Sequence, residues 1–117
     1  MRSLPTRTNG RAFIDKMPHN FQLIGFFLTA FPYARVIHCQ RDRRDVALSK
    51  WLARFPAAGL TYTSDLDALA EAANTYRHHM ARWEALYPEQ VLTMRNEDLV
   101  AMPEPLSRRM LDHCGLE

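Results

Sequence analysis

The stretch RVIHCQRDRRDVALSKW, residues 35–51, decides the architecture. Its first half, taken with Ala34 as ARVIHC, is rich in β-branched and apolar residues and lies between Pro32 and a charged cluster, the pattern of a short buried strand. Its second half places Val46, Leu48, Trp51, Leu52 and, just beyond, Phe55 at helical steps, with Asp42 or Asp45 at the start to suit a helix N-terminus. A strand that ends in charge and runs straight into a helix belongs to an α/β sheet. Ligands of such sheets bind beyond the carboxyl ends of the strands, where loops meet helix N-termini.

Working outward, RAFIDK (11–16) is another short apolar run, closed by Pro18, and QVLTMR (90–95) is a third. Asn20 is placed to cap a helix through Phe31, which Pro32 ends. Pro56 and Gly59 end the helix of the opening stretch, and PAAGLTYTSD (56–65) reads as a mobile loop. Ser64 or Asp65 can cap a long helix over 66–86 that carries Leu66, Leu69, Ala73, Tyr76, Met80 and Trp83 along one face and stops at Pro88. After Pro103 and Pro105, EPLSRRMLDHCGL is an amphipathic helix with Gly115 as its stop. Strands alternating with helices imply right-handed crossovers, hence an α/β fold with a short parallel sheet of about three strands flanked by helices. Residues 1–10, polar and containing Pro5, Asn9 and Gly10, read as a flexible N-terminal arm before a domain over 11–117.

Composition narrows the function classes. With 117 residues, 47% hydrophobic and 24% charged, the chain is sized for one small domain. A net charge of +2 lacks the basic excess of a general nucleic-acid binder, so any anion site is local. Cys39 and Cys114 form no CxxC pair and share no metal-ligand spacing; two buried free thiols in a reducing compartment are expected, and with them a cytoplasmic protein. MRSLPTRTNGR has no apolar core of a signal peptide, and FQLIGFFLTAF (21–31) falls short of the roughly 20 apolar residues that span a bilayer, so neither membrane nor nucleic acid is expected as a partner. His78 and His79 point to adjacent helix faces and make no joint metal site, and Trp51, Tyr76 and Trp83 are expected in the core.

The charged junction suits an anion. A helix N-terminus offers unpaired N–H groups and a partial positive charge, and Arg41, Arg43 and Arg44 stand beside it with guanidinium forks. The alternative is a solvated turn in which Arg43 and Arg44 pair with Asp42 and Asp45. Arg41 leaves the strand end and Ser49 lies in the following helix, so a phosphate can be held between a fork and a hydroxyl.

CQRDRRDVALS resembles the 3′-phosphate-binding segment of sulfotransferases that use 3′-phosphoadenosine-5′-phosphosulfate (PAPS), in which a strand ending CR(D/N) continues as xxRD or xxKD into a helix with a serine at this spacing. FIDKMPHNF is similar to the DKxPxNF segment of bacterial sulfotransferases related to the tyrosylprotein enzymes, and VLTMRNEDLVAMPEPLSRRMLDHCGL to the family's vRYEDLVxDPexxLrxLLxFLGL. The likeness runs from about Arg11 to Leu116 and implies a partial P-loop-type sulfotransferase fold. It implies PAPS as co-substrate with no metal, and an acceptor hydroxyl or amine. Arg41 and Ser49 would bind the 3′-phosphate, and Lys16 would be the catalytic cation on the sulfuryl group in flight. Asn96 stands where relatives usually carry an adenine-contacting tyrosine, and His19, just past Lys16, is placed to act as base toward the acceptor. Arg44 and Asp45 would organise the junction. Nothing upstream of Arg11 resembles the GxPRSGTT-like loop that cradles the 5′-phosphosulfate, so 11–117 is expected to be a partial domain lacking that loop.

Two other functions fit the same residues. One is a non-catalytic remnant that still binds nucleotide or a partner through an exposed sheet edge. The other is a nucleotide kinase relative, which shares the parallel-sheet plan but would need a GxxxxGK[ST] loop that the sequence lacks.

Overall fold

A computed structural model describes residues 13–53 and 65–116. Strand β1 (Val36–Gln40) and strand β2 (Val91–Arg95) pair in parallel, Val36 opposite Val91 and Gln40 opposite Arg95. Helix α1 (Ile24–Ala30) precedes β1, helices α2 (Arg43–Ala53) and α3 (Leu66–Leu86) lie between the strands, and α4 (Asn96–Ala101) and α5 (Pro103–Cys114) follow β2. The fold is α/β, as the alternation of elements requires.

Local signals set several boundaries. The Asp65 carboxylate accepts the Ala68 N–H at 2.8 Å and starts α3, while Ser64 lies outside the described residues. Pro103 opens α5, and Gly115, at φ 66°, closes it while the Leu116 N–H reaches back to the Leu111 carbonyl. The end of α2 at Pro56 and Gly59, the loop over 56–64 and the arm over 1–10 also lie outside the described residues.

The core sits between α1, α3 and the sheet: Ile24, Leu28, Met80 and Val91 are buried, with Phe21, Val36, Tyr76, Trp83 and Tyr87 packed against them. Trp83 explains a departure from the expected helix over 20–31, which divides into a 3₁₀ turn (Asn20–Gln22) and α1. In a continuous helix the Phe21 carbonyl would accept the Gly25 N–H. Here it accepts the Trp83 indole N–H at 2.7 Å instead, and Gly25 lets the ring in, since a Cβ on Gly25 would stand 2.5 Å from two of its carbons. Asn20 does not cap; its side-chain amide donates to Asp15 Oδ2 at 3.1 Å.

Three further expectations are corrected. Of the strand expected over 11–16, Arg11 and Ala12 lie outside the described residues, and Phe13–Lys16 is exposed and makes no ladder, leaving two strands among the described residues, because an apolar run becomes a strand only when a neighbouring edge takes its backbone groups. In β1 only His38 is buried: the alternation that turns it inward sends Ile37 and Cys39 to the opposite face, which is open over β1 although their partners Leu92 and Met94 are buried. Cys39 is thus an exposed thiol, and Cys114 is half-buried. On α2, Leu48 and Leu52 are 58% and 69% exposed and Trp51 is exposed too, because α3 already occupies the inner face of a sheet two strands wide. Among the described residues no helix is long and apolar enough to cross a membrane.

Candidate functional site

Parallel pairing brings the carboxyl ends of β1 and β2 together. Gln40 and Arg95 are register partners, so the turn into α2 and the turn into α4 leave the sheet side by side. Arg41 is the first residue beyond β1, Asn96 the first beyond β2, and both are exposed. Ser49 is exposed on α2.

Charge at this junction is arranged in pairs. The Arg41 guanidinium lies 3.3 Å from Asp45 Oδ2, one helical turn on, with both side chains about half exposed. Asp42 Oδ1 accepts the Arg44 backbone N–H at 2.8 Å and faces the Arg44 guanidinium at 3.4 Å. These contacts with Arg44, the side-chain hydrogen bond first, hold the Asp42 carboxyl below the ordinary carboxylate range and lift Arg44 above the ordinary arginine value. Both arginines are therefore ion-paired, Arg44 with Asp42 and Arg41 with Asp45, and the Arg41 side chain remains about half exposed to solvent.

Glu97 adds a contact that the sequence reading missed. Its Oε1 accepts the Asp42 N–H at 2.9 Å, and this bond, ahead of the one from its own N–H, holds the Glu97 carboxyl below its ordinary value. The helix N-terminus is thus less open than its sequence suggests: the Asp42 and Arg44 N–H groups are taken by carboxylates, and an anion here would be gripped by side chains more than by backbone. The short helix α4 was also missed, being six residues long with only Glu97 and Asp98 in its first turn as a signal.

Lys16 lies exposed in the strandless segment before Pro18, and His19 precedes the 3₁₀ turn, its ring edge-on to Phe21 at 6.4 Å. The sheet therefore joins Arg41 and Asn96 directly but has no ladder to Lys16 or His19. His78 and His79 lie on one helix, α3, where they line a shallow depression of about 530 Å³ with Glu71, Asn74 and Thr75. No group of three metal-ligating side chains occurs among the described residues.

The histidine with the richest surroundings is His38, given no role from its spacing. Its Nδ1 lies 3.0 Å from both Glu84 Oε1 and Thr93 Oγ1, Thr93 donates to Glu84, and the Tyr76 hydroxyl is hydrogen-bonded to Nε2. Both ring nitrogens are thereby used, so His38 ties β1, β2 and α3 together rather than offering a free base. Burial, and then the charge of Glu84, push the Tyr76 hydroxyl above its ordinary value.

Residues 2–117 match a family model described as Sulfotransferase family. A protein of Aquifex aeolicus (strain VF5), named Uncharacterized protein, is 36% identical over 105 residues, covering 88% of this chain. The chain spans 14% of that relative's length. No solved structure matches.

Proposed function

The chain belongs to the sulfotransferase family, and from that premise we propose that it forms part of an enzyme that transfers a sulfuryl group from PAPS to an acceptor hydroxyl or amine. Arg41 and Ser49 anchor the 3′-phosphate, and Asn96 lies toward the base. The observation that carries this reading is the parallel register, which sets the turns of Arg41 and Asn96 at one end of the sheet with the Arg41 fork exposed and engaged only in a weak surface pair.

The residues present fit a phosphate monoester. Arg41 supplies a fork that can face two oxygens, and Ser49 supplies a hydroxyl donor from the helix that follows. Asp45 competes for Arg41, but an exposed pair of this kind is worth only about 0–1 kcal/mol, less than a charge-assisted bond to phosphate. PAPS supplies the activated sulfuryl group. Transfer breaks the bond from sulfur to the bridging phosphate oxygen, forms one from sulfur to the acceptor, and releases the acceptor's proton. Catalysis of such a step is mostly positioning and charge stabilisation, and in this proposal Lys16 supplies the positive charge and His19 takes the proton. Lys16 aside, no loop here is assigned to cradle the 5′-phosphosulfate. The 117 residues are accordingly proposed as the 3′-phosphate half of the cofactor site, and binding without turnover is expected of them alone, since gripping the non-reacting end speeds the chemistry only when the reacting end is held too.

The test mixes the purified chain with radiolabelled PAPS and a panel of phenol, sugar and peptide acceptors, with heat-treated chain as the blank, beside titrations of adenosine 3′,5′-bisphosphate and AMP. Preference for the bisphosphate with no sulfated product is the expected result. Product above the blank overturns the view that a further loop is required, and equal affinity for the two nucleotides overturns the 3′-phosphate site.

A further inference from the structure

We propose that Glu97 is a positioning residue that locks the turn between β1 and α2 and thereby sets the direction of Arg41, an inference that rests on the 3′-phosphate reading above. Because Gln40 and Arg95 are partners in a parallel register, Asp42 and Glu97 each stand two residues beyond the sheet, on neighbouring turns that leave it together. The Glu97 carboxylate crosses that gap to the Asp42 N–H, at 2.9 Å, between residues 55 apart in sequence.

This N–H belongs to the peptide plane joining Arg41 to Asp42. Fixing the plane fixes ψ of Arg41, one of the two soft backbone angles that orient its side chain. The rest of Asp42 is held as well: its carbonyl accepts the Val46 N–H at 3.0 Å and its carboxylate accepts the Arg44 N–H at 2.8 Å. Among the described residues, however, only the Glu97 bond reaches outside the α2 segment. It also joins the turn of Arg41 to the helix that begins with Asn96, so one carboxylate spaces the position assigned to the phosphate from the position assigned to the base.

The second oxygen points to the same role. Glu97 Oε2 is buried with no hydrogen-bond partner among the described residues, and Arg95 Nε stands 3.9 Å away, too far for a hydrogen bond. What Glu97 contributes to the turn is the acceptor at Oε1, which the amide oxygen of glutamine can replace; its ion pair with Arg95, 3.9 Å apart on partly exposed side chains, is of the weak surface kind.

The test titrates adenosine 3′,5′-bisphosphate and AMP against wild type, Glu97→Ala and Glu97→Gln at one fixed salt concentration, and follows exchange of the Asp42 amide by NMR. Equal affinities in wild type would remove the site itself and the proposal with it. Given a wild-type preference for the bisphosphate, Glu97→Ala should cut the affinity ratio at least fivefold and speed Asp42 exchange, while Glu97→Gln keeps the ratio within about twofold. A purely structural role lowers the melting temperature and leaves the ratio alone. A ratio unchanged in Glu97→Ala, or lost equally in Glu97→Gln, overturns the proposal. If Glu97→Ala does not fold, Glu97→Asp replaces it: the charge stays, the carboxylate is withdrawn by one methylene, and an unchanged ratio there is equally fatal.

Discussion

Replacing Arg41 with alanine should separate binding from stability. The guanidinium is half exposed, and its partner among the described residues is Asp45 at 3.3 Å, an i,i+4 pair whose carboxylate is also about half exposed. Pairs of this kind contribute about 0.3–0.5 kcal/mol, so Arg41→Ala should lower the melting temperature by no more than roughly 2–4 °C in a domain of this size. Binding behaves differently. Each charge-assisted bond to phosphate is worth about 1.5–3 kcal/mol, and the competing Asp45 contact offsets only about 0.5 kcal/mol of it. A single such bond leaves a loss of about 2 kcal/mol, or roughly 30-fold in affinity for adenosine 3′,5′-bisphosphate, and a bidentate fork loses more. Arg41→Lys should restore part of this, because a point charge cannot face two oxygens at once. Calorimetric titration at fixed low salt, run beside thermal melts, measures both effects. A loss below about threefold, or an equal loss for AMP, refutes the assignment of Arg41 to the 3′-phosphate.

Two other substitutions test the frame around the site. Gly25→Ala gains up to about 1 kcal/mol of helix propensity, but its Cβ meets the Trp83 ring at 2.5 Å, and overpacking of that kind costs about 1–3 kcal/mol. The indole is pinned by its bond to the Phe21 carbonyl, so net destabilisation is expected in urea unfolding, and a higher midpoint would contradict the packing described. Tyr76, whose hydroxyl is raised chiefly by burial, titrates later in the folded than in the unfolded chain. Its contribution is complete below the ordinary tyrosine value of about 10 and declines as pH rises from there through the folded value. Tyr76→Phe should therefore flatten the fall of the urea midpoint above about pH 10, and an unchanged slope would show that the hydroxyl has no such preference.

The sequence by itself determined what short-range chemistry controls. Helix α3 runs over Leu66–Leu86 because Asp65 can reach an amide three residues on and Pro88 cannot extend the helix; Gly115 ends α5 because it adopts a positive φ freely. The same holds for β2, for each segment of the family signature, and for Arg41 at a strand end, each written in its own short run of residues. The tertiary structure decided what depends on groups far apart in the chain. Phe21 gives its carbonyl to Trp83, 62 residues away, and so breaks the helix that local pattern alone would continue. Phe13–Lys16 has the composition of a strand but pairs with neither β1 nor β2, and composition cannot specify a pairing partner. His38 is buried because Glu84, Thr93 and Tyr76 converge on it, and Glu97 gains its place at the junction only when the parallel register carries it opposite Asp42. Caps and turns close over three or four residues and leave their mark in sequence. A buried polar pair or a strand ladder satisfies groups 46–62 residues apart, and nothing local in the sequence specifies which two will meet.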